Sequence, residues 1–138
     1  MILQGSNMAE AEKRKVRVLL VEDDEVAAIA FQRDAGKVEG RSFDVTVASK
    51  LEKAIELLDI EQFDVVFLDL NLPNNDANHT IAHIAMSGSP VPVVILTGAG
   101  DAKLEAIAED LEFKGYIAKD DLSPQVIEDS VSSLIGQS

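Results

Sequence analysis

Acidic residues, a threonine and a lysine follow apolar runs in this sequence, at positions where their side chains can come together to form a reactive site. Five polar residues stand at or next to the ends of such runs: Glu22, Asp23, Asp69, Thr97 and Lys119. Uninterrupted apolar runs are typical of strands that are buried on both faces. The carboxyl ends of parallel strands lie at one edge of a sheet, where open α/β sheets bind their ligands. We therefore expect these five side chains to gather at one edge.

The residue types in this group favour a magnesium site that handles phosphoryl groups. Three neighbouring carboxylates repel one another by about 4 kcal/mol per pair near a protein surface, and one lysine neutralises only part of that charge. Oxygen ligands favour a hard divalent ion, Mg²⁺ with several waters. Asp69 then suits in-line attack on phosphorus, while Thr97 donates a hydrogen bond and Lys119 holds charge on the phosphoryl oxygens. The predicted product is an aspartyl phosphate, which suits a signal.

Strand and helix patterns alternate five times along the chain. The predicted strands are Val16–Val21, Phe43–Ala48, Val65–Leu68, Val91–Leu96 and Gly115–Ala118. The helical spacings run from Val26, from Leu51, over Ala77–Met86, over Leu104–Leu111 and after Ser123-Pro124. Ser49 and Ser123 are the predicted caps of the second and fifth helices. This alternation predicts a doubly wound, flavodoxin-like α/β/α fold whose five parallel strands have the order 2-1-3-4-5.

Composition limits the class of protein. The 138 residues include 25 acidic and 12 basic ones, a net charge of −13, which disfavours direct binding to nucleic acid or to an anionic membrane. The absence of cysteine excludes disulfides and thiolate chemistry. Without a signal peptide or an apolar run of transmembrane length, we expect a cytoplasmic protein. We interpret residues 1–15 as a disordered leader, partly left over from cloning, and residues 16–138 as one domain.

In combination, four motifs resemble the receiver domain of bacterial two-component response regulators, over about Val16 to Ile135. They are VLLVEDDE after residue 17, DVVFLDLNLP from residue 64, VVILTG from residue 93 and GYIAK from residue 115. The resemblance implies a CheY-like fold and a Mg²⁺-dependent signalling phosphoprotein. Its only chemistry would be self-catalysed phosphotransfer and autodephosphorylation, so it would not be an enzyme.

The same resemblance implies specific roles for the site residues. Asp69 is then the phosphoacceptor. Glu22, Asp23, Asp69 and the backbone carbonyl of Asn71 bind Mg²⁺, and Thr97 and Lys119 contact the phosphoryl group. On phosphorylation Thr97 moves toward the phosphate and Tyr116 swings inward, which remodels the face formed by the fourth helix, fifth strand and fifth helix.

The resemblance also implies partners. The phosphodonor is a histidine kinase or a histidine phosphotransfer protein of a phosphorelay, and a downstream protein binds the remodelled face. The chain would be a monomer or a phosphorylation-dependent dimer. Because the sequence ends at Gly136–Ser138, soon after the last predicted helix, we expect a free-standing regulator. A receiver excised from a larger hybrid kinase or regulator is the alternative.

Three features depart from the family pattern, and one of them is that the usual Gly-Ala before the fifth strand is absent. Asp120 replaces the proline that usually follows the lysine, which disfavours a cis peptide bond there. Ala77 replaces a glycine that is common in the loop after the phosphoacceptor strand. These departures touch loops and the output face, whereas the acid, hydroxyl and lysine positions are all present.

Other residues and patterns suggest three further interpretations. His79 and His83 have the spacing of a zinc clamp on a helix, but no third ligand supports one, and a solvated surface is favoured. A flavin-binding, flavodoxin-like module is disfavoured because the acidic loop after the first strand would repel a phosphate. A Mg²⁺-dependent phosphohydrolase with an aspartyl nucleophile normally has a second carboxylate two positions later, where this chain has Asn71.

Overall fold

The computed structural model describes residues 15–69, 91–97 and 115–135, and five strands of this part form one parallel sheet. The order is β2-β1-β3-β4-β5, as the sequence predicts. The strands are β1 (Lys15–Val21), β2 (Ser42–Ala48), β3 (Val65–Asp69), β4 (Val93–Thr97) and β5 (Gly115–Ala118). β4 begins two residues later than predicted, after Pro92, which has no N–H to donate to a neighbouring strand.

Three α-helices lie in the described part: α1 (Glu25–Gly36), α2 (Leu51–Ile60) and α3 (Pro124–Ile135), the last being the fifth helix of the prediction. The helices predicted at 77–86 and 104–111 lie outside the described residues. No helix in the described ranges is long and apolar enough to cross a membrane.

The centre of the sheet is the apolar run that precedes Asp69. β3 pairs with β1 on one side and with β4 on the other, and every residue of Val65–Asp69 is buried. Successive side chains of a strand point to opposite faces, so this strand supplies both faces of the core. That burial explains why the run has no polar residue before Asp69.

Helices cover the two faces of the sheet differently. On one face α2 packs against the side of β3 that carries Val66 and Leu68. On the other face α1 and α3 pack against the side that carries Phe67. There the rings of Phe31 and Phe67 meet edge to face, with centroids 4.9 Å apart, an arrangement that adds about 1 kcal/mol to the burial of their area.

The two predicted helix caps have different outcomes. The prediction for Ser123 is confirmed: its Oγ accepts a hydrogen bond from the N–H of Val126 at 3.1 Å, and Pro124 is the first residue of α3. The prediction for Ser49 is wrong. Lys50 is the cap residue of α2 and no side chain caps this helix, because α2 begins at Leu51 and Ser49 stands one residue too early.

A polar contact fastens the last helix to the edge of the sheet. Arg41, just before β2, donates from Nε to Oε1 of Glu128 at 2.6 Å and from Nη2 to Oε2 at 3.1 Å. Nη2 also donates to Oγ of Ser132 at 3.1 Å. Both partners lie on α3, so a two-pronged ion pair joins residues that are far apart in the chain.

Candidate phosphoacceptor and metal site

The acidic residues in the turn between β1 and α1 have two different roles. Glu22 follows β1 directly, and its N–H donates to the carbonyl of Ala48 at 3.0 Å, which holds it beside β2. Its side chain is buried, while Asp23 is exposed. Asp24 instead caps α1, because its Oδ1 accepts hydrogen bonds from the N–H groups of Val26 at 2.9 Å and Ala27 at 3.4 Å.

The capping role of Asp24 was missed in the sequence, where it was only part of an acidic run. The signal was present, since Asp is among the preferred residues immediately before a helix. Its effect on the site is indirect. The cap fixes where α1 starts and therefore how the preceding residues leave β1.

Asp69 lies at the carboxyl end of the central strand and is only 1% exposed. Carboxylate oxygens of Glu22, Asp23 and Asp69, one from each residue, all lie within 4.8 Å of one another. The structure thus brings together three acids that come from the ends of two neighbouring strands. This is the convergence that the sequence predicts for a parallel sheet.

Lys119 completes the cluster from the far side. Thr97 of β4 is paired in register with Ala118 of β5, so the residue after Ala118 stands at the same edge of the sheet. The Nζ atom of Lys119 lies 2.8 Å from Oε1 of Glu22 and 3.0 Å from Oδ2 of Asp69. One ammonium therefore bridges two buried carboxylates.

The charges in this cluster do not balance. The pKa of Glu22 is raised to about 7, mainly by burial and next by its hydrogen bond with Asp69, although the ion pair with Lys119 acts in the opposite direction. Burial alone would lower the pKa of Lys119, but hydrogen bonds and charge from Glu22 and Asp69 outweigh it, so this pKa is raised. The lysine stays charged, and it does not supply enough positive charge for both buried acids.

The donor set fits a hard divalent cation. Carboxylate oxygens are the ligands that Mg²⁺ and Ca²⁺ prefer, and thiolate ligands are absent because the chain has no cysteine. Glu22, Asp23 and Asp69 have oxygens close enough to share one ion. Such an ion would offset the excess negative charge of these three acids.

Several predicted residues are described only in part. Thr97 and Tyr116 take their predicted places at the end of β4 and within β5, but only their backbone is described. Asn71 lies outside the described residues, as do His79 and His83. The roles predicted for these five residues therefore stay predictions.

Most of the sequence matches one family. Residues 18–131 match the response regulator receiver domain, and the chain belongs to this family. It is therefore a receiver domain of the response regulators, a signalling domain. Receiver domains typically bind Mg²⁺ through acidic residues, and histidine kinases or phosphotransfer proteins are their general partners.

Curated relatives are similar over part of their length. The chain is 31% identical over 83 residues to the cell cycle response regulator CtrA of Brucella ovis, and equally to that of Brucella suis. The matched segment covers 60% of this chain and 34% of the relative. The chain thus spans about a third of the length of the curated relatives it matches.

Solved structures support the fold. The receiver domain of the Francisella response regulator 1452 has a TM-score of 0.72 and 22% identity, covering 87% of this chain and 96% of that one. The signal receiver domain of an HD domain-containing protein from Pseudomonas fluorescens Pf-5 has a TM-score of 0.74 and 24% identity, covering 88% and 95%. At these identities the likeness concerns the fold alone.

Proposed function

We propose that the domain of residues 16–138 accepts a phosphoryl group on Asp69 in a Mg²⁺-dependent reaction. One observation carries the proposal: a carboxylate only 1% exposed, at the end of the central strand, contacts the Lys119 ammonium at 3.0 Å and lies beside two other acids. Burying a charged group costs free energy unless the charge is compensated. A buried acid in such surroundings therefore indicates a functional role. The neighbouring Glu22 has a raised pKa, and acids with shifted pKa values at the ligand-binding edge of a sheet are typical of reactive sites.

In the proposed step, a carboxylate oxygen of Asp69 attacks the phosphorus of the donor. The new bond joins that oxygen to phosphorus, and the bond that breaks joins phosphorus to a donor histidine nitrogen, which keeps the electron pair. Lys119 is close enough to Asp69 to hold negative charge on the phosphoryl oxygens. The hydroxyl of Thr97 is the proposed second donor, because β4 ends beside β3.

Glu22, Asp23 and Asp69 are the proposed Mg²⁺ ligands from side chains, and the carbonyl of Asn71 is the proposed backbone ligand. When bound, the ion supplies the positive charge that neutralises the acids and the phosphoryl oxygens. The role of Glu22 follows from its position, since it contacts both Lys119 and Asp69. Asp23 is exposed, so its carboxylate is accessible to an ion that enters the site from solvent.

The proposed partners follow the family. A histidine kinase or histidine phosphotransfer protein donates the phosphoryl group, and a downstream protein binds the face built from the predicted fourth helix, β5 and α3. Thr97 and Tyr116 are the proposed switch residues of that face. The free-standing role expected from the sequence stays a prediction. Measuring the molecular mass of the native protein in cell extracts tests it, because a larger regulator would have a higher mass.

Incubation with acetyl phosphate and Mg²⁺, followed by mass spectrometry of the intact protein, tests the proposal. We expect the mass of one phosphoryl group to be added to the wild type and to Asp59→Asn, a control on the exposed side of α2, but not to Asp69→Asn. An unmodified wild type would contradict the proposal. Steady release of many phosphates per protein, lost in Asp69→Asn, would support the phosphohydrolase alternative instead.

A further inference from the structure

A partly enclosed cavity of about 170 Å³ lies between α1 and the residues that follow β5. Its walls are mostly apolar and come from both strands and helices: Leu20, Ala27, Ala30, Phe31, Leu96 and Leu122. Glu22 and Lys119 line it as well, and so does Asp34. The cavity therefore extends from the acidic cluster to a second, separate carboxylate.

One face of α1 shapes this cavity. Ala27, Ala30, Phe31 and Asp34 follow the i, i+3, i+4, i+7 spacing of a single helix face. The two alanines leave space where larger residues would fill it. Because a helix rises 1.5 Å per residue, Asp34 stands roughly 10 Å along the axis from Ala27. Asp34 is thus at the end of the cavity that is remote from the acidic cluster.

Asp34 has an unusual environment for a carboxylate. It is half-buried, and its side chain makes no hydrogen bond or ion pair with any of the residues that the structure describes. Lys119, the cation of the cavity, is already paired with Glu22 at 2.8 Å and Asp69 at 3.0 Å. The cavity therefore offers an apolar body and one uncompensated acid at its far end.

We infer that this cavity binds a small organic cation, a single ring or short alkyl chain that carries one ammonium. The volume sets the size, since a cavity of about 150 Å³ holds one benzene molecule. The apolar walls receive the ring, and the carboxylate of Asp34 accepts hydrogen bonds from the ammonium. The net charge of −13 favours a cation over an anion at the same site.

Benzylamine is a suitable probe, and benzyl alcohol is its neutral counterpart of nearly the same shape. For the full chain in the presence of Mg²⁺, we expect benzylamine to shift the methyl NMR signals of Ala30 and Leu96 with a Kd on the order of 1 mM, as is typical of so small a ligand. Benzyl alcohol should bind about tenfold more weakly, because it is neutral and cannot form an ion pair with a carboxylate. Excess Mg²⁺ keeps the amine from the acidic cluster.

Two variants test the two parts of the site. Asp34→Asn should bring benzylamine down to the affinity of benzyl alcohol, whereas Asp59→Asn, which changes the net charge equally on another helix, should not. Ala30→Leu should abolish the binding of both probes by filling the cavity. If Ala30→Leu fails to fold, the affinity of Asp34→Asn for benzylamine tests the site instead.

Equal binding of amine and alcohol to the wild type would overturn the cation preference, and no saturable shift with benzylamine would overturn the site. Binding is read without any phosphodonor, so this result stands or falls independently of phosphorylation at Asp69.

Discussion

The ammonium of Lys119 lies 2.8 Å from Oε1 of Glu22, a residue that is 97 positions earlier in the chain and almost completely buried. The same ammonium also contacts Asp69 at 3.0 Å. Two acids at the ends of neighbouring strands thus share one cation, which directly follows a third strand. The consequences of this shared ion pair can be measured in the absence of any partner protein.

Replacing Lys119 should destabilise the protein as well as impair phosphorylation. In Lys119→Met, Glu22 and Asp69 remain buried side by side without their counter-charge, so the free energy of unfolding at pH 8 without Mg²⁺ should fall by about 3 kcal/mol. Lys53→Met, on the exposed side of α2, is the control and should change little. Urea unfolding of the three proteins measures the difference, and equal stability of both variants would contradict the ion-pair assignment.

Mg²⁺ should stabilise the protein more at pH 8 than at pH 5. Since burial raises the pKa of Glu22 from 4.5 to about 7, the folded protein binds more protons than the unfolded chain between these values. The contribution of Glu22 to stability without metal therefore falls as the pH rises through this window. Mg²⁺ competes with that proton, so its effect grows as Glu22 ionises.

Thermal unfolding with and without Mg²⁺ measures this effect. At a concentration 100 times its Kd, the ion should add about 2.7 kcal/mol at pH 8 and clearly less at pH 5. Glu22→Gln should remove most of the pH dependence. A stabilisation by Mg²⁺ that is the same at both pH values would argue against Glu22 as a ligand.

Adjacent acids Asp23 and Asp24 should give opposite phenotypes. Asp23→Asn should weaken Mg²⁺ binding and leave stability without metal nearly unchanged, because this side chain is exposed. Asp24→Ala should cost about 1 kcal/mol of stability by removing the cap of α1, with little effect on Mg²⁺ affinity. Calorimetric Mg²⁺ titration and urea unfolding of both variants separate the two roles. A large loss of Mg²⁺ affinity in Asp24→Ala would show that the cap assignment is incomplete.

The ion pair between Arg41 and Glu128 should stabilise the protein at neutral pH, and this stabilisation should be lost in acid. The hydrogen bond from Arg41 lowers the pKa of Glu128, against the effect of burial, and Ser132 lowers it further. For a carboxyl group whose pKa is lower in the folded state, the stabilisation is present above the unfolded value of 4.5 and is lost as the pH falls through the folded value.

Arg41→Gln should therefore cost about 1 kcal/mol at pH 7, and the difference from the wild type should shrink in acid. Arg33→Gln, at an exposed position of α1, should show no such pH-dependent difference. Urea unfolding at pH 7 and at pH 3 measures both. A cost that stays constant over this range would mean that Arg41 acts through packing and not through charge.

Much of the fold follows from local patterns in the sequence. The strand order and the central position of β3 were predictable because an apolar run such as Val65–Leu68 is stable only when both faces are covered. Parallel strands then place Glu22, Asp69 and Lys119 at one edge. The cap at Ser123 was predictable because a serine followed by a proline typically begins a helix. The cap expected at Ser49 was wrong because helix starts are uncertain by a residue.

By itself, the sequence determined which residues reach the edge of the sheet, since the alternation of strands and helices leaves little choice of topology. Only the tertiary structure decided what each one does there. Asp23 joins the cluster and Asp24 caps a helix because the backbone turns between them, and side-chain direction follows the backbone. Likewise the cavity that ends at Asp34 exists because two alanines of α1 face Leu20 and Leu96, a contact between segments that no local pattern specifies.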